Sequence, residues 1–305
     1  MGVYIQALVS GLSVGGIYAL LALSFSVTYT TTKTLNFSQG DFVAFGAFIG
    51  VTILLMLSGA PDFNRLGPDA SSGFRYPVAA LGAGLAVGFV GILMFIAAIR
   101  PFAGKPGMNW VMSTIGFGII LQSLGLVIWG PAPVTVPQPL GNDIIRIMGA
   151  GVRTQELLIL FVAIVVMLAF DRVMRKTRLG KVMRAVAQNP EVASLMGINL
   201  TLVMAGAFAF SSALAGLGGL LVAPIASASL YVGLWIALKA FSGAIIGGLD
   251  NPRGCIAGGF LLGLVESSVA LWQAQWREIV IFLLIIVVLS LWPNGIFNRS
   301  TVDRA

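Results

Sequence analysis

Nine runs of apolar residues divide this chain, and a lipid interior leaves such runs one backbone solution. A helix needs about 20 apolar residues to cross a bilayer, and hydrocarbon supplies no partner for open N–H and C=O groups, so each run must bond internally as a helix. The runs are Val3–Tyr29, Phe37–Ser58, Pro77–Ile99, Trp110–Gly130, Glu156–Phe170, Leu202–Pro224, Val232–Leu249, Cys255–Trp272 and Ile279–Trp292. The fifth and seventh are short, so tilt, flanking residues or broken helices must supply the missing length. With 58% hydrophobic and only 10% charged residues, the chain lacks the polar surface a soluble domain requires. The expected fold is all-α: a polytopic transmembrane bundle of about nine spans, eight to ten being possible, forming one domain over residues 1–305. The start, MGVYIQALVSG, has no basic region ahead of its apolar run and reads as a retained helix rather than a cleaved signal.

Charge sets the orientation. Six of the eighteen basic residues, Arg172, Arg175, Lys176, Arg178, Lys181 and Arg184, fall in the short insert Arg172–Asn199 between two spans. With the N-terminus outside and the C-terminus inside, twelve bases face the cytoplasm: those six with Lys33, Arg100, Lys105, Arg253, Arg299 and Arg304. Five face outward (Arg65, Arg75, Arg146, Arg153, Arg277), and Lys239 lies inside a span. The reverse orientation inverts that ratio and conflicts with the inside bias of Lys and Arg. The net charge of +7 therefore points to anionic headgroups rather than nucleic acid. One cysteine, Cys255, excludes an internal disulfide and any CxxC site, and the absence of histidine excludes imidazole ligands and acid–base chemistry.

Glycine sets the packing. Gly11/Gly15, Gly46/Gly50, Gly84/Gly88, Gly243/Gly247 and Gly259/Gly263 are small-xxx-small pairs within spans. Such pairs let helix backbones approach where lipid gives no hydrophobic drive to associate. Residues 44–50, AFGAFIG, resemble residues 240–247, AFSGAIIG, with one insertion. An offset of five spans would point these copies in opposite directions, as in inverted-repeat transporters. The loops Gly59–Tyr76 and Pro131–Arg153 read as irregular surface connections; the second carries four prolines and then the amphipathic stretch IIRIM.

The residues able to carry function fall in two places. In the basic insert, Asn189, Pro190 and Glu191 have the order of a helix start: cap, first-turn proline, first-turn acid. Val192, Leu195 and Met196 give an apolar face and Gly197 a stop. An amphipathic arm with Arg178, Lys181 and Arg184 precedes it. This helix either rests on headgroups or serves as a peg for a soluble partner. Within the spans, buried polar residues are costly and default to function. Asn36, Ser38, Gln39 and Gly40 suggest an unwound start of the second span whose amides face a cavity and favour a carboxylate. Asp41 fits a capping box with Ser38. Lys239 has Asp41 or Glu266 as a partner, or snorkels; Glu266 lies near an external helix end, where hydration is the plain alternative; Gln122 suits interhelical bonding. The substrate-pathway set is Asn36, Ser38, Gln39, Gly40, Asp41, Lys239 and Glu266. No G-x-x-x-x-G-K-[ST] loop is present, since Gly180-Lys181 runs into Val182 and Gly104-Lys105 into Pro106. No nucleophile–base pairing stands out, so passage rather than catalysis is expected, with no metal and no cofactor.

The segment TRLGKVMRAVAQNPEVASLMGIN resembles the coupling-loop region of ABC importer permeases of the branched-chain amino acid family, with a signature R-x-G-x-x-x-R-A-x-x-x-x-x-x-x-A-x-x-x-G-I-N. Arg178, Gly180, Arg184, Ala185, Ala193, Gly197, Ile198 and Asn199 carry it. Gly16–Leu20 with Leu35–Phe42 looks like the family's N-terminal block, and Lys239–Gly248 with Gly254 and Gly258-Gly259 like its C-terminal glycine block. Asp250-Asn251-Pro252-Arg253 departs from the small, uncharged turn expected there. The resemblance covers nearly the whole chain. It implies a half-pore in a bacterial inner membrane, beside a related second permease subunit, two ABC ATPases that bind the ATP, and an extracytoplasmic substrate-binding protein. It further implies ATPase coupling through Arg178, Gly180, Arg184, Ala185, Pro190, Glu191, Ala193 and Gly197 in the loop 172–199. The cargo it implies is a branched-chain amino acid; other branches carry urea, short amides or other small polar solutes. A stand-alone ion-coupled transporter or channel would have to use Asp41, Lys239 and Glu266 as its relay and leaves the basic helix unexplained.

Overall fold

The computed structural model describes residues 2–59, 66–102, 108–141, 143–147 and 150–297. Lys105, Arg65, Arg299 and Arg304, used above for orientation, lie outside them. Eleven α-helices are described: α1 (Gly2–Thr32), α2 (Gln39–Ser58), α3 (Arg75–Met94), α4 (Asn109–Trp129), α5 (Thr154–Lys176), α6 (Arg178–Gln188), α7 (Pro190–Leu195), α8 (Leu200–Ala226), α9 (Val232–Gly247), α10 (Pro252–Trp272) and α11 (Arg277–Leu291). Eight helical segments among the described residues are long and apolar enough to cross a membrane, and α9, at 16 residues, is the short ninth. Two expectations need correction. The fifth span is not short: α5 has 23 residues and carries Arg172, Arg175 and Lys176 on its last turns. The loop before it is not wholly irregular, because β1 (Ile144–Ile147) and β2 (Ala150–Arg153) form an antiparallel hairpin, Ile145 opposite Val152.

The glycine pairs act where they were expected to, at helix crossings. Gly11 and Gly15 of α1 meet Gly263 and Phe260 of α10; Gly243 and Gly247 of α9 meet Gly259 and Gly254 of α10. On the other side Gly46 of α2 meets Gly216 of α8, and Gly88 of α3 meets Ala209 of α8. A Cβ at Gly219 would lie 1.9 Å from the Val43 carbonyl oxygen, so α2 and α8 touch through their main chains.

Two helices begin inside the bundle rather than at its surface. The Gln39 amide at the start of α2 donates to Ser24 Oγ at 2.7 Å. Ser24 lies eight residues before the end of α1, about 12 Å inward at 1.5 Å per residue. The chain thus turns back into the bundle after α1 before α2 starts. It does the same after α8: the start of α9 lies against the start of α2, where a Cβ at Gly233 would sit 2.1 Å from Gly40 O. A non-glycine residue with positive φ marks each return, Lys33 (φ 53) and Ser227 (φ 62), conformations L-residues seldom adopt. The backbone beside Ser227 is satisfied by a bridge in which Val134 and Ala228 exchange N–H···O bonds at 2.9 Å. The two stretches with similar sequence, in α2 and α9, are therefore the two interior-starting helices.

Pro224 inside α8 lacks the N–H that would bond to the Leu220 carbonyl and crowds the turn before it. Tyr76 Oη of α3 donates to Leu220 O at 2.9 Å, and Gln155 Nε2 of α5 donates to Leu221 O at 2.9 Å, taking up both carbonyls.

Contacts sort the helix ends. The ends of α1, α5 and α9 and the starts of α8 and α10 share one end of the bundle, tied by Lys33–Asp250 and by Arg253 Nη2–Asp171 at 2.6 Å. That end holds nine of the described bases: Lys33, Arg100, Arg172, Arg175, Lys176, Arg178, Lys181, Arg184 and Arg253. The opposite end holds Arg75, Arg146, Arg153 and Arg277.

Because the α2–α8 crossing has no room for a side chain, Gly219→Val is expected to force the helices apart, costing at least the 1–3 kcal/mol typical of overpacking. Gly206→Ala on the same helix, where an added Cβ meets nothing within 4 Å, should be tolerated. Thermal unfolding of the two variants in detergent compares them; equal melting temperatures would refute the close-contact account.

Candidate functional site

The interior start of α2 is a closed polar knot. Asn36, Ser38 and Gln39 are fully buried. Asn36 Nδ2 donates to Gln39 Oε1 at 2.9 Å, Ser38 N–H donates to Asn36 Oδ1 at 2.9 Å, and Gln39 Nε2 reaches Ser24 Oγ and, at 3.3 Å, Ser211 O of α8. The Asn36 and Gln39 amides thus find partners on α1, α8 or their own loop, as burial demands. Asn36–Ser38 lie ahead of the helix, whereas Gln39 and Gly40, expected in the unwound start, are already its first turn, and the Asn36 and Gln39 side chains are bonded to each other. The capping box also needs correction. Ser38 holds the N-cap position without a side-chain cap bond, because its hydroxyl donates to the Thr114 carbonyl of α4. Asp41 projects toward α4, where its Oδ2 occupies the space beside Gly118, and no ion pair reaches it among the described residues. Gly40 is the contact with α9. Gln122 makes no side-chain hydrogen bond among the described residues, so its expected interhelical role is not seen.

Lys239 and Glu266 come together, which decides between the two partners considered for Lys239. Lys239 Nζ lies 2.8 Å from Glu266 Oε1 and 2.8 Å from Glu278 Oε1. Tyr18 Oη donates to Glu266 Oε2 at 2.7 Å, and Arg277 Nη1 lies 3.8 Å from Glu266 Oε1. Glu266, 5% exposed, is buried and shared among these partners, while Glu278 and Arg277 at the rim of the cluster are partly exposed. The network joins α1, α9, α10 and α11 and balances two cations against two carboxylates, which is the condition for keeping charge in low dielectric. Tyr18, Arg277 and Glu278 escaped the sequence reading. Arg277 and Glu278 sit at a helix start, where bases and acids look like ordinary end charges.

At the basic end the insert folds as a helical hairpin. Thr177 Oγ1 accepts from Gly180 N–H at 3.3 Å to start α6. Gly180 lies against the end of α5, where a Cβ would be 2.2 Å from Met174 O. Arg184, though exposed, donates to that same carbonyl and so helps close the hairpin. Ala185 N-terminally supports the next turn by accepting from Asn189 N–H at 3.1 Å. Asn189 Oδ1 caps α7 through Val192 N–H at 3.1 Å, Pro190 takes the first turn with Glu191, and Gly197 ends the turn at φ 83. Asn199 then caps α8 through Leu202 N–H at 3.2 Å; the sequence reading noted this residue without its role. Ala193 is the buried anchor of α7, while Val192, Leu195 and Met196 are exposed, Leu195 by 88%. Arg178 is exposed at the corner.

The charged turn that departs from the family pattern has a structural role. Asp250 pairs with Lys33, Asn251 Nδ2 donates to Phe297 O at 3.0 Å, and Arg253 holds Asp171, which also pairs with Arg175 at 3.1 Å. It fastens α1, α5 and the chain after α11 to the start of α10.

Removing the shared ammonium should be costly. Lys239→Met leaves two carboxylates facing each other and is expected to destabilise the bundle by about 3–5 kcal/mol, the usual loss when one member of a buried pair is deleted. Adding Glu266→Gln should recover part of that. Melting curves of the single and double variants test this; a single variant that melts with the wild type would mean the network is solvated.

Comparison with known proteins agrees over the same span. The family described as "Branched-chain amino acid transport system / permease component" matches residues 7–289. The chain is 28% identical over 309 residues to the high-affinity branched-chain amino acid transport system permease protein LivH of Salmonella typhimurium, covering 99% of this chain and 97% of that protein. It is 28% identical over 316 residues to LivH of Escherichia coli (strain K12), with the same coverage. It is 29% identical over 311 residues to the permease protein BraD of Pseudomonas aeruginosa, covering 99% of this chain and 98% of that one. No solved structure matches the chain. A bundle of membrane-crossing helices with a capped, outward-facing helical hairpin at its basic end, matched from residue 7 to residue 289, places this chain in the branched-chain amino acid transport system permease family, as a multi-pass transport component of the inner membrane.

Proposed function

We propose that this chain is one permease half of an ATP-driven ABC importer that carries branched-chain amino acids into the cell by alternating access. The observation that carries the proposal is α7: a capped helix anchored by Ala193 that turns Val192, Leu195 and Met196 away from its own bundle. An apolar helix face of this kind suits a groove on a partner protein. The nine-to-four distribution of described bases supports a cytoplasmic location for that end, where an ATPase pair would bind the ATP for which this chain has no phosphate loop. The names of the relatives support the cargo. A related second permease chain and an extracytoplasmic binding protein complete the assembly.

The hairpin supplies a mechanical route. Gly180 and Arg184 bind α6 to the end of α5, and Asn199 joins α7 to the start of α8. Displacing α7 therefore moves α8, and Ser211 of α8 holds Gln39 at the interior start of α2. In this reading the knot Asn36–Gly40, with Asp41, is the point where the pathway opens and closes, and Arg178 and Glu191 flank the ATPase contact. Lys239 and Glu266 brace the neighbouring wall.

Leu195→Asp changes a side chain with little to lose in the isolated chain, so the variant should fold and insert. It is expected to reduce ATPase co-purification and coupled uptake at least tenfold, since a desolvated carboxylate at such a contact costs well over 1.4 kcal/mol. Wild-type assembly and uptake would remove α7 from the ATPase interface. Cysteine at Gln188 should also resist membrane-impermeant thiol reagents in intact cells; ready labelling would reverse the orientation.

A further inference from the structure

We propose that an anionic phospholipid occupies the groove between α5, α6 and α8, with an acyl chain along Phe170 and Phe210 and its headgroup at Lys176 and Arg178. The groove is a cavity of about 550 Å³ whose walls are Phe170, Val173, Leu179, Val182, Leu202 and Phe210, among others. Phe170 and Phe210 stack at 5.5 Å to form its inner wall. It is almost entirely apolar, so water is a poor occupant. Phe210 lies ten residues into α8, so the groove extends about 15 Å from the basic end along the helix axis, the depth of an acyl chain in one leaflet. Gly206 leaves it open: a Cβ there would meet nothing within 4 Å.

Charge complementarity selects the occupant. Arg172, Lys176, Arg178 and Lys181 are exposed and have no acidic partner among the described residues, whereas Arg175 is held by Asp171 and Arg184 by a carbonyl. Lys176 and Arg178 bracket Thr177 at the corner between α5 and α6, next to the groove residues Val173 and Leu179. Helix α6 turns Leu179, Val182 and Met183 into the groove and leaves Arg178 and Lys181 exposed, as an interfacial amphipathic helix does. A phosphodiester at this corner meets two unpaired cations while its chain fills the slot. The bound lipid would then wedge α6 against α5 and α8, the same hairpin that carries α7.

The full-length protein, extracted with its partner subunits, is exchanged into equal amounts of phosphatidylglycerol and phosphatidylcholine, and the retained lipid is quantified by mass spectrometry. Phosphatidylglycerol should be retained over phosphatidylcholine by about tenfold or more, and Lys176→Gln should lower that preference about fivefold, the contribution of one basic residue near an anionic headgroup. Gly206→Phe, whose Cβ meets nothing within 4 Å, projects a ring into the slot and should abolish the preferential retention while the melting temperature stays near that of wild type; Gly206→Leu serves if the larger residue impairs folding. Equal retention of the two lipids by the wild type would overturn the proposal. So would undiminished retention in folded Gly206 variants. Loss of a protein subunit from Gly206→Phe with lipid retention intact would show that the groove is a protein interface, and would equally overturn it.

Discussion

Hydrocarbon offers nothing to an open backbone amide or carbonyl, and this bundle is arranged around the places where its helices break inside it. The chain re-enters after α1 and again after α8, and each return leaves main-chain groups without helical partners. Asn36 takes up the Ser38 amide, the Val134–Ala228 bridge takes up the segment before α9, and Tyr76 and Gln155 take up the carbonyls freed by Pro224. These substitutes come from different helices. The breaks can exist only if α1, α3, α5 and α8 already surround them closely.

Close packing is what the glycines provide. A side chain at Gly219, Gly233 or Gly247 would overlap a neighbouring main chain, so these helices approach until short polar side chains can reach across. Ser24 and Ser211 reach Gln39 because α1 and α8 both lie that near. The same logic holds for Lys239, which touches two carboxylates from α10 and α11 at 2.8 Å each. An ionised group in lipid is expensive, and this one is kept by equal numbers of opposite charges and a tyrosine hydroxyl. Glycine contact and polar pairing are one device seen from two sides.

The sequence carried the features with a strong local cause. Spans follow from apolar length, crossings from small-xxx-small spacing, and α7 from the succession Asn189-Pro190-Glu191 ending at Gly197. What it hid depended on which helices become neighbours. Ser38 satisfies the spacing of a capping box with Asp41, yet its hydroxyl goes to Thr114 O, a carbonyl nothing in the local sequence announces. Arg184 looks like a free charge of an amphipathic arm, yet it remains exposed while bonding the Met174 carbonyl at the nearby end of α5. The end of the fifth span was hidden for a different reason: Arg172, Arg175 and Lys176 stop the apolar run without stopping the helix, since hydropathy marks the lipid boundary and not the backbone's.

The two polar centres differ in what they permit. The Lys239 network draws on four helices and balances its own charge, so separating its members leaves the buried Lys239 and Glu266 without counter-ions, which ties α1, α9, α10 and α11 together. The Gln39 knot holds only neutral groups, and its link to α8 is a pair of long contacts from Gln39 Nε2 to Ser211, 3.3 Å to the carbonyl and 3.4 Å to the hydroxyl. Breaking a neutral bond that can be replaced by water or by a solute costs about 1 kcal/mol or less, far below the cost of parting a buried ion pair. Helix α8 is also the element whose start is capped by Asn199 beside α7 and whose far end contains Pro224. Of the two polar centres, the neutral contact between Gln39 and Ser211 is the one that parts at least cost, and the charged cluster around Lys239 the one that parts at most.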